Sequence, residues 1–361
     1  MVELLEAFTN TDSPSTGKLY MDRFAGLVAR QWQSLGTNVT TLREEEYGDH
    51  VKVEWGSGRE SILLLCHMDT VWDAGETQKR PFRVENGKAY GPGAYDMKAG
   101  IVQAIFAVKT LQDMGLSPAK KIIVLHNSDE EIGSPSSRPI IESEALKASA
   151  VLVLEPPVRG GALKTWRKGV GDFIVAIQGR ASHAGADYKK GISAITEAAH
   201  QILRLHSLTD LEKGTTVNVG VVKAGTRPNV VAEQASLSVD LRVTTIDAAK
   251  EVVPKILGLK PVDPRITLAV QGELERPPME RNENNLRLFK LAHAIGSEMG
   301  IELAESGTGG ASDGNFTSAL GIPTLDGLGA VGDDGHAVTE HVVVSSLPER
   351  AAVLAGLLLR I

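Results

Sequence analysis

SILLLCHMD, residues 61–69, is the stretch that decides the architecture. Its first six residues are too short a run for a globular helix and lack the alternation of a half-exposed strand, so they read as a strand buried on both faces. Lys121–Leu125 (KIIVL) and Ala150–Leu154 (AVLVL) repeat the pattern. Between the first two lies Lys98–Leu111, whose apolar residues recur at helical spacing. Strand, helix and strand in this order predict an α/β domain with a mostly parallel sheet covered by helices on both faces.

The character changes near Lys168. Asp172–Ile177, Thr216–Val222, Ala235–Val243 and Ile266–Val270 read as strands, and Gly191–Leu208 and Ile246–Leu257 as helices. Their order, β-α-β-β-α-β, is that of a ferredoxin-like module. In Ala235–Val243 the period is two, with Ala235, Leu237, Val239, Leu241 and Val243 on one face. After Arg276-Pro277-Pro278 a helical pattern returns at Asn284–Met299, followed by apolar Ile322–Leu328 and a last helix from about Ser346, with Pro348 near its start. The expected organisation is one domain of residues 1–167 and 277–361, interrupted by an inserted domain of residues 168–276.

A chain of 361 residues exceeds what a single hydrophobic core usually organises. Glycine is abundant, at 37 residues, and aromatics are scarce, at 4%, which suits many tight turns and close backbone approaches. The net charge of −7, without a long basic stripe, argues against nucleic-acid binding. Cys66, the one cysteine, cannot form an internal disulfide. The N-terminal residues show neither a basic segment nor a long apolar run, and no apolar run approaches the roughly 20 residues of a membrane span. The expectation is a cytoplasmic protein with no membrane and no nucleic-acid partner.

Residues able to bind metal stand where the predicted strands end. His67-Met68-Asp69 follows SILLLC, Glu130-Glu131 follows the strand at 121–125, and Glu155 follows the strand at 150–154. Asp96 lies in a Gly-rich turn leading into a helix, and His336 in Gly335-His336-Ala337. Sites in open α/β sheets form outside the carboxyl ends of the strands, so these groups should converge. Two histidines and three carboxylates suit two borderline-soft divalent ions such as Zn²⁺, one carboxylate being shared. A further carboxylate must then handle the proton of the attacking water, and of the adjacent pair Glu130 and Glu131 one can bind metal while the other serves that role.

Taken together, HMD at 67–69, GPGAYDMKAG at 91–100, DEEIGS at 129–134, EP at 155–156, GRASHAG at 179–185 and a late GH before TE at 339–340 resemble the co-catalytic di-zinc exopeptidase family. That family includes glutamate carboxypeptidase, aminoacylase, acetylornithine deacetylase, succinyl-diaminopimelate desuccinylase and peptidase T. The stretch ASHAGADYKKGISAI at 181–195 is closest to the glutamate carboxypeptidase branch. The resemblance implies that His67, Glu155 and one oxygen of Asp96 hold one zinc, and Glu131, His336 and the other oxygen of Asp96 the second. Cobalt or manganese could substitute. It implies Glu130 as general base, Asp69 as the carboxylate orienting His67, and His183 as a stabiliser of the oxyanion. Asn229, Arg242, Arg276 and Gly310 match positions that bind substrate. It also implies that residues 168–276 act as a lid and dimerisation domain, giving a homodimer.

Alternatives stand beside several of these. His341 rivals His336, although only His336 precedes a Glu by four positions. Arg242 could be a solvated residue on the open sheet face, His183 a surface hydrogen-bonding residue, and Ser312 a plain helix cap. The function implied is metal-dependent hydrolysis of an amide next to a free carboxylate, on a short peptide or an N-acyl amino acid. An N-acyl-amino-acid deacylase uses the same chemistry, and a non-catalytic relative would have lost ligands that this chain keeps.

Overall fold

A computed structural model describes all 361 residues. The chain divides into two compact units. The first comprises Met1–Trp166, Arg281–Thr308 and Ser312–Ile361; the second comprises Arg167–Glu280 with Gly309–Ala311.

The first unit is built on a six-stranded sheet. Its strands are β1 (Asn38–Leu42), β2 (His50–Trp55), β3 (Ser61–His67), β4 (Lys121–Asn127), β5 (Ala148–Val153) and the two-residue strand Thr324–Leu325. The spatial order is β1-β2-β4-β3-β5 and then Thr324–Leu325. β3 runs parallel to both β4 and β5, and β5 parallel to Thr324–Leu325, while β1 and β2 form an antiparallel margin. Every residue of β3 is buried, and its alternation explains why. Ile62, Leu64 and Cys66 pack into the cluster that includes residues of helices α1 (Lys18–Ser34) and α2 (Ala99–Asp113). Leu63 and Leu65 pack on the opposite face with Ile123, Leu125, Ile141 and Val153. Truncating one of these leucines to alanine should cost about 2–5 kcal/mol.

Helix α2 begins one residue after the predicted start and ends at Asp113. The apolar segment Ile322–Leu328 contributes only two strand residues, because the buried Asp326 and Gly327, with φ of +77°, turn the chain away. β1, with the sequence NVTTL, carries too little apolar pattern to be read as a strand. No helix is long and apolar enough to cross a membrane.

The second unit contains a four-stranded antiparallel sheet of β6 (Gly169–Gln178), β7 (Thr216–Ala224), β8 (Gln234–Val243) and β9 (Thr267–Arg276), in the order β7-β8-β6-β9. Helices α3 (Ala194–His206) and α4 (Ile246–Leu257) connect them. The buried face of β8 is the expected set, Ala235, Leu237, Val239, Leu241 and Val243, packed against Ala198, Leu205, Val252 and Ile256 of the two helices. Ser193 and Thr245 cap these helices, their side chains accepting from the N–H of Thr196 and Ala248.

Candidate metal centre

Parallel strands place their carboxyl ends on one edge, and the ligand candidates follow from where each strand stops. His67 closes β3, Glu130 and Glu131 follow the end of β4, and Glu155 follows the end of β5. Nε2 of His67 stands 3.1 Å from Oδ1 of Asp96 and 3.3 Å from Oε1 of Glu155. Nε2 of His336 stands 3.2 Å from Oδ2 of Asp96 and 3.2 Å from Oε2 of Glu131. The donors divide into two sets, and Asp96 gives one oxygen to each. A carboxylate oxygen of Glu130 lies within 4.8 Å of donor atoms of His67 and Glu155.

These separations are at the long end of hydrogen bonding and are also those of donors arranged about an ion. A charge-assisted N–H···O⁻ bond closes to about 2.7–2.9 Å. Ligand atoms about 2.0–2.1 Å from a tetrahedral ion are about 3.3 Å from one another. The spacings of 3.1–3.3 Å match the second case. Oε1 of Glu131 is moreover buried without a hydrogen-bond partner, a loss of about 1–3 kcal/mol that a cation would remove.

The electrostatics agree. Burial pushes Glu131 up to about 7. Hydrogen bonds to Asp96 and Glu131 push His336 up to about 11. Burial opposes charge on His67, but bonds to Asp69, Asp96 and Glu155 hold it well above the ordinary imidazole range. Burial likewise opposes charge on Asp96, and its bonds to His336 and His67 outweigh this and hold it well below the carboxylate range. Negative charge crowded around two imidazoles favours a positive charge among them, and a divalent cation meets the same demand as the protons. The residues present fit two such ions.

Three loops hold the donors. Glu340 is almost fully buried and accepts the N–H of Gly93 at 3.0 Å, of Tyr95 at 2.9 Å and of Asp96 at 3.0 Å, with the indole N–H of Trp72 at 3.2 Å. The turn carrying Asp96 is thus wrapped around one remote carboxylate. Asp69 acts on the Glu130–Glu131 turn: Oδ1 accepts from the N–H of Glu130 at 3.2 Å, and Oδ2 from the N–H of Glu131 at 3.0 Å and Oγ of Ser15 at 2.7 Å. Nδ1 of His67 lies 3.0 Å from the backbone oxygen of Asp69 and 3.4 Å from its Oδ1. Both the main chain and the carboxylate of Asp69 thus face Nδ1 of His67, and the carboxylate also fixes the neighbouring turn. His336 sits in a left-handed conformation, φ +64°, after Asp334 at +63°, each costing about 1–3 kcal/mol. The loop is closed by the N–H of Ala337 on Asp334 and of Glu340 on Ala337. His341 lies elsewhere, in a short strand, with its ring 5.3 Å from that of Tyr90.

The other candidates lie in the second unit. Nδ1 of His183 accepts the N–H of Gly185 at 3.1 Å and of Ala186 at 3.0 Å, so the neutral ring carries its proton on Nε2. The backbone carbonyl of Asn229 accepts the N–H of Ala184 at 2.9 Å. Arg242 places Nε and Nη2 on the carboxylate of Asp240, at 2.7–3.0 Å, and Nη1 3.5 Å from the carbonyl of Gly309. Its planar fork is already engaged. Arg276 is buried at the end of β9, and the carbonyl of Gly310 lies 3.4 Å from Nη1 of Arg167. The sequence pointed to Glu340 only through its spacing from His336, and gave no sign that it braces the Asp96 turn.

Residues 63–360 match the profile of Peptidase family M20/M25/M40. The chain is 32% identical to carboxypeptidase G2 of Pseudomonas sp. (strain RS-16), over 99% of its own length and 88% of that protein's. It is 27% identical to a succinyl-diaminopimelate desuccinylase of Alkalilimnicola ehrlichii, over 93% and 92% of the two chains. A tripeptidase of Staphylococcus aureus shares the fold, with a TM-score of 0.82 at 21% identity, covering 99% of this chain and 96% of the other. By the span of the profile and the likeness along nearly the whole chain, this protein belongs to Peptidase family M20/M25/M40, a metal-dependent family of hydrolases.

Proposed function

We propose that the chain is a carboxypeptidase-type exopeptidase that hydrolyses the amide bond next to a free carboxylate, with substrates like those of a glutamate carboxypeptidase. The division of donors about Asp96, with Glu130 beside them, carries this reading. His67, Asp96 and Glu155 would hold one Zn²⁺, and Asp96, Glu131 and His336 the other, with Co²⁺ or Mn²⁺ as substitutes. When bound, such ions lower the pKa of water and polarise a carbonyl.

Glu130 takes the proton from the attacking water as the new C–O bond forms, and delivers it to the amine nitrogen as the C–N bond breaks. Asp69 holds the backbone of that base through the N–H of Glu130. His183, with its proton on Nε2, is suited to donate to the oxyanion. Arg242, Asn229, Arg276 and Gly310 are proposed to bind substrate; Arg242 would have to share or leave Asp240 to grip a carboxylate. Residues 168–276 are proposed as a lid and dimerisation domain of a cytoplasmic homodimer.

Similarity to a desuccinylase along 93% of the chain favours a second reading, an N-acyl-amino-acid deacylase with the same residues in the same roles. Hydrolysis of acetyl-, succinyl-, benzoyl- and dipeptidyl amino acids, with and without a chelator, separates them. Chelator-sensitive release from dipeptides or aroyl-glutamates supports the carboxypeptidase. Release from short acyl groups alone selects the deacylase, and a protein that binds no divalent metal overturns both.

A further inference from the structure

Asp313 is buried in the first unit. Its Oδ1 accepts from Oγ of Ser134 at 2.5 Å, and its Oδ2 from Nδ2 of Asn127 at 2.8 Å. Asn127 is the last residue of β4, and Ser134 follows the short turn Glu130–Ile132. A carboxylate 179 positions along the chain from Ser134 thus holds both ends of the segment that carries Glu130 and Glu131.

Asp129 closes the same segment from within. Oδ1 accepts from Oγ of Ser137 at 2.5 Å, and Oδ2 from the N–H and Oγ of Ser136, each at 2.7 Å. Its carbonyl accepts the N–H of Ser134 at 2.8 Å. Ser134 has φ of +59° and Gly133 +97°. An L residue leaves the left-handed region unless its surroundings over-determine it, and here the bond to Asp313 is one of the restraints.

We propose that Asp313 is a positioning residue for Glu130, acting through Ser134 and Asn127 to fix where the base stands. The inference rests on Glu130 being the general base. The chemistry of the contact suits a carboxylate. Both neighbours donate to it, one through a hydroxyl and one through an amide N–H, and its two oxygens accept one each. Asn could keep both contacts, since the Ser134 hydroxyl can turn to accept from its NH₂ group, whereas Ala removes both acceptors.

The test uses Asp313→Ala and Ser134→Ala in the whole chain. Hydrogen exchange read across residues 129–134 requires no substrate. It should quicken by about tenfold or more in both variants while the rest of the first unit keeps its rate. With a substrate in hand, kcat should fall about 10- to 100-fold with bound metal unchanged, and KM should stay within about twofold, since no substrate contact is removed. The double variant should be no worse than Asp313→Ala by more than about twofold, because the bond to Ser134 is already absent there.

Unchanged exchange at 129–134 in Ser134→Ala would overturn the inference, as would a rise spread evenly over the molecule, or faster local exchange with kcat intact. Should Asp313→Ala not fold, Ser134→Ala decides the matter alone. If the wild-type protein cleaves nothing in the panel, the exchange data still judge the bracing of the segment, and the failure falls on the functional reading.

Discussion

The indole N–H of Trp32 donates to Nε2 of His126 at 2.8 Å, and neither side chain is exposed to solvent. Nε2 being the acceptor, the neutral ring keeps its proton on Nδ1, which has no partner. A second proton would have to enter at Nε2, where it would break the bond to Trp32. Burial accordingly pushes His126 down to about 3.

The sign of the pH effect follows. Below the ordinary imidazole value of about 6.5 the unfolded chain binds a proton that the folded chain refuses, so stability falls as pH falls. The loss is about 1.4 kcal/mol per pH unit, continuing until the folded value is reached. Urea midpoints of wild type and His126→Gln at pH 7, 6, 5 and 4 should diverge in slope, the variant losing less on acidification. Parallel curves would show that His126 is charged in the fold.

Replacing Glu130 by Ala should lower kcat by about 10²–10⁴-fold while leaving the bound metal, measured after dialysis, at the wild-type ratio. Loss of metal along with turnover would make Glu130 a ligand instead of the base, a role its distance from His67 and Glu155 also permits.

Glu340→Ala leaves the N–H groups of Gly93, Tyr95 and Asp96 and the indole of Trp72 without their acceptor. Each buried donor so abandoned costs about 1–3 kcal/mol, and metal affinity should weaken about 10- to 100-fold as the Asp96 turn loosens. Glu340→Gln, keeping one acceptor, should fall between. Thermal melting with metal titration reads both effects.

Gly100, in the first turn of α2, lies so close to Leu154 that a Cβ would overlap the carbonyl oxygen of Leu154 and crowd the Met97 side chain. Gly100→Ala should destabilise by about 1–3 kcal/mol and disturb Glu155, the next residue after Leu154. A melting temperature within experimental error of wild type would show that the helix can retreat without loss.

Much of this was legible in the sequence because its cause is local. SILLLC reads as a doubly covered strand since alternate residues meet two different clusters. Ile246–Leu257 keeps its expected limits because Thr245 caps it and Gly258 follows it. What escaped reading has causes far along the chain. Glu340 braces a turn about 245 positions away, and Asp313 one 179 positions away. No periodicity marks such a carboxylate, and the spacing of Glu340 from His336 does not reveal which turn it holds. The margin strands β1 and β2 escaped for another reason, that Thr, Lys and Glu interrupt their apolar residues and leave no continuous run.

The order in which the ligands occur along the chain has a consequence for how the protein comes into being. His67, Asp96 and Glu155 all precede the second unit, whereas His336 and Glu340 follow it. A ribosome that has made the first half has supplied the donors of one set, but neither the histidine of the other nor the brace for the residue common to both. The paired centre can be completed only by the last segment to emerge. A chain interrupted before residue 336 would lack both the histidine of the second donor set and the carboxylate that braces the Asp96 turn.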